Sequence, residues 1–210
     1  MKKNASWLIN CYLNGVFPMS NGLFGDIDIY SPDPRAILPL ENIHVSKSLR
    51  KTIRQKKFFL TIDKSTELVM KKCRRELENP NEIWLSDELF DIYLELTKLN
   101  LLHSFEAWKG TDLAGGLFGV SIGGVFYAES MFHEPNFGTN ASKVILVLAA
   151  KALKLSGFKI FDIQFMTSHL KTFGALEITR EEFHQNLEKA LKINCLFPKS
   201  MEQALEEFTS

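Results

Sequence analysis

From His103 onward the apolar residues stop recurring at helical spacing and begin to alternate, and this change constrains the fold more than any other feature of the 210 residues. His103 to Trp108, Leu113 to Ile122 and Val125 to Phe132 read as three successive strands. Gly110-Thr111-Asp112 and Gly123-Gly124 join them and can supply the positive φ angles of tight hairpins. The spacing predicts an antiparallel meander. Asn140 then stands where a helix cap is expected, with a helix to about Ser156, Gly157 as its stop and a strand over Lys159 to Phe165. A further helix opens at Thr179, with Glu182 three residues on as a capping box.

Meander, long helix, strand, helix is the order of an acetyltransferase-like (GNAT-like) mixed-sheet α/β domain rather than of a doubly wound sheet. Before the meander, Ser46 can cap a helix over Leu49 and Ile53, Phe58 to Ile62 reads as a strand, and Ser65 can cap a helix through Leu68, Val69 and Leu77. Ser86, followed by Asp87 and Glu88, opens another helix with Leu89, Ile92, Tyr93, Leu96 and Leu99 on one stripe. Ser31-Pro32-Asp33-Pro34 stops any helix running through it and marks a boundary. The expected organisation is a small N-terminal lobe over residues 1–33 and a catalytic domain over 34–210.

With 45% hydrophobic and 24% charged residues the chain reads as a soluble globular protein. Its longest apolar run, Val144 to Ala150, is far short of the roughly 20 residues of a spanning helix. The N-terminus lacks a signal-peptide pattern, so a cytoplasmic protein with no membrane contact is expected. Cys11, Cys73 and Cys195 are widely spaced and odd in number, which predicts buried thiols rather than a disulfide framework or a zinc site.

The net charge of zero hides two opposed blocks. Residues 47 to 75 hold eleven Lys and Arg against Asp63 and Glu67, whereas residues 76 to 106 hold eight carboxylates and Lys98 alone. The first block suggests a surface that faces a polyanion, and two solvated helix faces would give the same pattern.

Several motifs fail on context. Gly119-Val120-Ser121-Ile122-Gly123 matches G-x-S-x-G, but a strand follows it where a nucleophile elbow needs a helix, so Ser121 reads as a hairpin residue. His133-Glu134 lacks the second histidine of H-E-x-x-H, and the glycines from Gly115 to Gly124 form no nucleotide loop. No metal and no cofactor is expected. More informative is Phe161-Asp162-Ile163-Gln164-Phe165, in which alternation puts the three apolar residues on one face and Asp162 and Gln164 on the other. In so apolar a strand, a carboxylate and an amide on one face cost burial energy unless they meet partners or line a cleft. Glu129 is a comparable oddity in Tyr127-Ala128-Glu129-Ser130-Met131-Phe132, and taken alone it favours a buried ion pair over a site.

Taken in order, Gly15-Val16-Phe17-Pro18-Met19, Tyr30-Ser31-Pro32-Asp33-Pro34-Arg35, Trp84-Leu85-Ser86, Gly115-Gly116-Leu117-Phe118-Gly119-Val120, Glu129-Ser130-Met131-Phe132, Asn140-Ala141-Ser142-Lys143, Asp162-Ile163-Gln164 and Gly174-Ala175 resemble the leucyl/phenylalanyl-tRNA-protein transferases of bacteria. The resemblance spans nearly the whole chain. It implies transfer of Leu or Phe from aminoacyl-tRNA to proteins with N-terminal Arg or Lys, marking them for degradation, on an acetyltransferase-like domain.

It further implies that Asp162 and Gln164 form the catalytic pair, the carboxylate polarising the amide or the attacking amine. Glu129, with Ser130 beside it, matches a position that meets the incoming peptide N-terminus. Trp84 matches an aromatic that packs on the terminal adenosine, Met19 stands where some members carry a second tryptophan there, and Leu117 and Phe126 match positions lining the pocket for the transferred side chain. Tyr30 also replaces a tryptophan of the family pattern.

The chemistry asks little of a protein. An aminoacyl ester is already activated, so the site must hold an unprotonated amine near the carbonyl and stabilise the oxyanion that develops. An α-amine with a reference pKa of about 7.7 to 8.0 is partly free base at neutral pH. The tRNA body needs phosphate contacts, for which Arg50, Lys51, Arg54 and Lys57 in the basic block are the candidates, in a monomer. Three alternatives stay open: another donor residue or acidic acceptor N-termini, an acetyl-coenzyme A-dependent acyltransferase, and a non-catalytic RNA-binding module.

Overall fold

The computed structural model describes residues 3–74 and 83–209. Leu77, expected at the end of a helix, lies outside the described residues. The N-terminal segment forms helix α1 (Ala5–Leu13) and an antiparallel pair, β1 (Phe17–Ser20) and β2 (Ile27–Tyr30). There follow β3 (Arg35–Ile37), α2 (Lys47–Arg54), β4 (Phe59–Ile62), α3 (Thr66–Arg74) and α4 (Asp87–Glu95), which tightens into a 3-10 turn over Leu96–Leu99. The meander is β5 (Leu102–Lys109), β6 (Asp112–Ile122) and β7 (Val125–His133). After it come α5 (Ala141–Leu155), β8 (Ile160–Gln164), α6 (Ser168–Lys171), β9 (Leu176–Ile178), α7 (Arg180–Leu191) and α8 (Glu202–Thr209).

Seven strands make one mixed sheet in the order β4-β5-β6-β7-β8-β3-β9. Every pair is antiparallel except β7 with β8. Alternation distributes the sheet's side chains between two apolar clusters. Phe105, Leu117, Phe126, Phe161 and Ile163 join α2, α5 and α8 in one, while Trp108, Phe118, Tyr127 and Ile160 join α1, α3, α4 and α7 in the other. The second cluster also takes Leu8, Tyr12 and Phe17, so residues before the proline boundary pack into the same core as the meander.

Local signals place most helix ends. Ser46, Ser86 and Thr179 each accept a hydrogen bond from the backbone N–H three residues on, and Glu106, wholly buried, accepts from the Lys64 and Ser65 N–H groups that lead into α3. Asn140 precedes α5 as expected but takes φ +70° and makes no side-chain capping bond, so it turns the chain rather than caps the helix. The hairpin after β6 needs Gly123 at φ +58°, where a Cβ would come within 2.7 Å of the Leu191 carbonyl of α7. The two charge blocks meet where Arg74 pairs with Asp87 at 2.7 Å. Among the described residues no helix is long and apolar enough to cross a membrane.

Candidate active site

Strands β7 and β8 pair only from Val125–Ile160 to Tyr127–Asp162. Beyond that register β7 stays with β6 while Gln164 pairs with Ala36 of β3, so the two parallel strands part company where Glu129 and Gln164 project. Such a parting is a place for a cleft lined by residues held on rigid elements, and here Gln164 bonds Glu129 across it.

Asp162 is wholly buried and does not face the cleft with a free oxygen. Arg35, 2% exposed, grips it in bidentate fashion, with Nε 2.9 Å from Oδ1 and Nη2 2.5 Å from Oδ2. The guanidinium is itself sandwiched between the Phe17 and Phe183 rings, 4.6 and 4.7 Å from their centroids, and donates through Nη1 to the Gly15 carbonyl. Asp162 Oδ1 also accepts the backbone N–H of Gln164 at 2.9 Å. That bond sits on a residue at φ +64°, a conformation that costs an L side chain about 1–2 kcal/mol. The expected contact between the carboxylate and the amide is therefore made to the backbone of Gln164, not to its side chain. The turn at Gln164 also ends the alternation: Phe161 and Ile163 enter the core, whereas Phe165 lies half exposed with its ring 5.6 Å from Phe17, edge on.

Glu129 sits at a bulge. Phe118 pairs with Ser130 and Gly119 with Ala128, which leaves Glu129 as the extra residue of β7. Opposite it only glycine fits, because a Cβ on Gly119 would lie 2.3 Å from the Tyr127 carbonyl. The Glu129 carboxylate accepts from Tyr12 Oη at 2.7 Å, Tyr93 Oη at 3.0 Å and Gln164 Nε2 at 2.9 Å, and the two tyrosine hydroxyls lie 2.6 Å apart. The residue is half-buried and its carboxylate is the deep end. Burial pushes its pKa up to about 7, with the three hydrogen bonds opposing the rise and the charge of Asp162 adding to it. Burial, and after it the charge of Glu129, raises both tyrosines well above their ordinary range, so they stay donors. Among the described residues no cation pairs with Glu129, which excludes the buried ion pair considered from the sequence.

The other expected site residues divide between the faces of the sheet. Trp84 is half-buried, stacked on Phe118 at 6.3 Å and edge-on to Tyr93 at 6.5 Å, which ties it to the Glu129 cluster. Met19 lies beside it, since the next residue, Ser20, donates its backbone N–H to the Trp84 carbonyl. Tyr30 stacks on Phe17. Ser130 adjoins the bulge. Leu117 and Phe126 instead sit in the cluster on the α5 face, with Phe126 wholly buried against Phe105 and Phe161. Of the basic group, Arg54 donates to the Phe208 carbonyl at the end of α8 and Arg50 lies over the Phe208 ring, whereas Lys51 and Lys57 project from the surface. Ser121 is a buried strand residue just before the Gly123 hairpin, not an elbow.

Sequence reasoning missed Arg35, Tyr12 and Tyr93 as members of the site. For Arg35 the available signal was position: it is the sole cation in its fragment, immediately after the proline boundary and before a short apolar run.

The family model for leucyl/phenylalanyl-tRNA protein transferase matches residues 37–188. The leucyl/phenylalanyl-tRNA–protein transferase of Maricaulis maris is 42% identical over 189 residues, covering 89% of this chain and 86% of that one. Its counterpart in Herpetosiphon aurantiacus is 44% identical over 191 residues, covering 90% and 95%. Among solved structures, that of L-PGS from Bacillus licheniformis aligns over 97% of this chain and 70% of its own with a TM-score of 0.43 and 7% identity. Matched along most of its length by both the family model and these relatives, the chain belongs to the leucyl/phenylalanyl-tRNA protein transferase family.

Proposed function

We propose that this protein moves Leu or Phe from aminoacyl-tRNA to the N-terminal amine of proteins that begin with Arg or Lys, tagging them for degradation, and that it does so as a cytoplasmic monomer. The observation that carries the reading is Glu129: a deep carboxylate bound by three neutral donors and by no cation of the described chain. Such a carboxylate is costly to bury alone and is satisfied by an incoming ammonium group.

Gln164 is then placed to act on the same amine. Its Nε2 is committed to Glu129, an acceptor, so the amide oxygen is the atom left to accept an N–H of the nucleophile. The neutral amine attacks the ester carbonyl, the bond to the ribose oxygen breaks, and that oxygen leaves with a proton the amine gives up. Glu129, with a pKa of about 7, is matched to exchanging a proton with an α-amine of about 7.7 to 8.0. Asp162 works at one remove as a positioning residue that fixes the left-handed backbone of Gln164.

Trp84 and Met19 would supply an apolar surface for the terminal adenosine beside the Glu129 cluster, and Leu117 and Phe126, buried in the core on the other face, would meet the transferred side chain once it enters between the parted strands. That parting, a meander followed by a helix and a parallel strand, is what supports an acetyltransferase-like domain for residues 34–210, with residues 1–33 as an appended lobe that delivers Tyr12 and Phe17. Transfer of labelled Leu, Phe, Met and Arg from charged tRNA to peptides with basic or acidic N-termini tests the proposal. Leu and Phe on basic N-termini are expected, and preference for acidic N-termini would overturn the acceptor assignment.

A further inference from the structure

The strands that carry Glu129 and Gln164 lead on to a second group, made of histidines and a lysine. His133 lies four residues beyond Glu129 on β7, about 13 Å at the rise of a strand, and its Nδ1 is 3.4 Å from Ser142 Oγ of α5. Past the end of β8, α6 presents His169, whose ring meets Phe173 edge-on at 5.1 Å. Lys143, on the first turn of α5, holds the pKa of His169 down together with His133, burial being the larger cause. Lys143 and Phe173 also line a hollow of about 250 Å³ whose other walls include His44, Ser46, Ser48 and Thr172.

Three of the five histidines and a lysine thus gather at one end of the cleft, and the first turn of α5 holds no acidic residue. Glu134, next to His133, is already bound at 2.7 Å by Lys72. Lys143 supplies the fixed positive charge and the imidazoles, with His169 held toward its neutral form, supply N–H donors, so a bound anion meets one charge and several hydrogen bonds. The hydroxyls of Ser46, Ser48 and Thr172 suit phosphate oxygens, and the hollow continues onto α2, from which Lys51 projects.

We propose that His133, Lys143 and His169 hold backbone phosphates of the last nucleotides of the donor tRNA, so that the aminoacyl ester at its 3′ end reaches Glu129 and Gln164 between the parted strands. The inference rests on the aminoacyl-tRNA reading above and adds the place where the RNA is gripped. His133 lies on the α5 side of the sheet and Glu129 on the other, so the 3′ end would pass between the parted strands, and about 13 Å along β7 leaves room for the terminal nucleoside to reach the surface beside Trp84. Phosphate contacts of this kind set register without reading sequence.

The test compares intact Leu-tRNA with leucyl-adenosine, which carries the ester but no phosphate. Lys143→Ala, and the pair His133→Gln with His169→Gln, should raise KM for Leu-tRNA about tenfold more than KM for leucyl-adenosine, and Lys143→Ala should flatten the salt dependence by about 0.7 in log–log slope. Equal losses for both donors would overturn the proposal. A second readout needs no turnover: the trinucleotide CCA, titrated by NMR, should bind the wild type about tenfold more tightly than Lys143→Ala. If no donor is used and CCA still discriminates the two proteins, the transfer reading fails and the phosphate site stands. If transfer proceeds and CCA binds both alike, the phosphate site alone is refuted. Inorganic phosphate competing as well as CCA would mean a general anion site and would also refute it.

Discussion

Asp162→Asn separates the structural and chemical roles of the buried pair. The wild-type carboxylate is wholly buried against an arginine that is 2% exposed, with both oxygens engaged. With Asn in its place the guanidinium keeps the Gly15 carbonyl and its two aromatic rings but loses the one counter-charge it meets among the described residues. Removing one partner of a buried pair costs about 3–5 kcal/mol. At about 2–4 °C per kcal/mol for a chain of this size, the melting temperature should fall by roughly 6–20 °C. Turnover should fall too, and stability loss alone does not say why.

The discriminating variant is Arg35→Gln with Asp162→Asn. It removes the stranded charge, lets the two amides bond each other, and keeps an oxygen at position 162 for the Gln164 N–H. If Asp162 acts by positioning, the double variant should regain more than half of the lost melting temperature and reach within about tenfold of wild-type kcat, against a loss of about 100-fold or more for Gln164→Ala. Thermal melts and steady-state kinetics with saturating charged tRNA measure both. A double variant that melts like the wild type and yet turns over as poorly as Asp162→Asn would refute the positioning role and return the negative charge to the chemistry.

Three further outcomes are expected. Because the folded pKa of Glu129, about 7, lies above the ordinary value of 4.5, the native state keeps a proton that the unfolded chain has released between those values, and stability falls as pH rises through that window; Glu129→Gln, which has no such loss, should gain in melting temperature relative to the wild type from pH 5 to pH 8 while raising KM for peptides with N-terminal Arg, and a pH-independent difference would sink the assignment. Trp84→Ala should raise KM for charged tRNA by the about 1 to 3 kcal/mol of a lost stacking contact and spare KM for the acceptor, so an unchanged donor KM would remove Trp84 from the adenosine site. Reversing Lys51 and Lys57 to Glu should weaken tRNA binding without lowering the melting temperature, whereas Arg54→Glu should lower the melting temperature by breaking its bond to the Phe208 carbonyl; the opposite pattern would mean that Arg54, not the lysines, faces RNA.

The meander, the long helix and the capped helices were legible because each rests on local chemistry: alternation, Gly123 at a positive φ, and Ser46, Ser86 and Thr179 as caps. What was not legible depends on pairs far apart in the chain. Arg35 and Asp162 are separated by 127 positions, Tyr12 and Glu129 by 117, and nothing in either neighbourhood names its partner. The short strands β3 and β9 escaped for a related reason: each has three residues, too few to show a period, and β3 exists because the longer β8 offers it an edge, as β3 in turn does for β9. Likewise β1 and β2 are stabilised by the Phe17 and Tyr30 rings that face each other across the pair, a contact that proximity in sequence does not announce.

One feature of the site did leave a mark in the sequence. In Tyr127-Ala128-Glu129-Ser130-Met131-Phe132, a strict period of two puts Tyr127 and Phe132 on opposite faces, and both are large aromatic residues that need burial. In the folded chain both join the cluster packed by α1, α3 and α4, while Phe126, Ala128 and Met131 pack on the α5 side. The two sets are reconciled only by one extra residue between Ala128 and Met131, and the bulge at Glu129 supplies it. An out-of-phase pair of aromatics that brackets a lone carboxylate therefore reports a bulge, and the bulge falls where β8 parts from β7, with Glu129 on the face of Tyr12, Tyr93 and Tyr127. Deleting Ser130 removes the extra residue: a strict period of two then keeps Tyr127, Glu129 and Phe132 on one face and draws Glu129 back into regular register opposite Phe118. Such a variant is expected to keep its core packing and most of its melting temperature while raising KM for the acceptor, and an unchanged acceptor KM in the folded variant would show that the bulge does not set the place of the carboxylate.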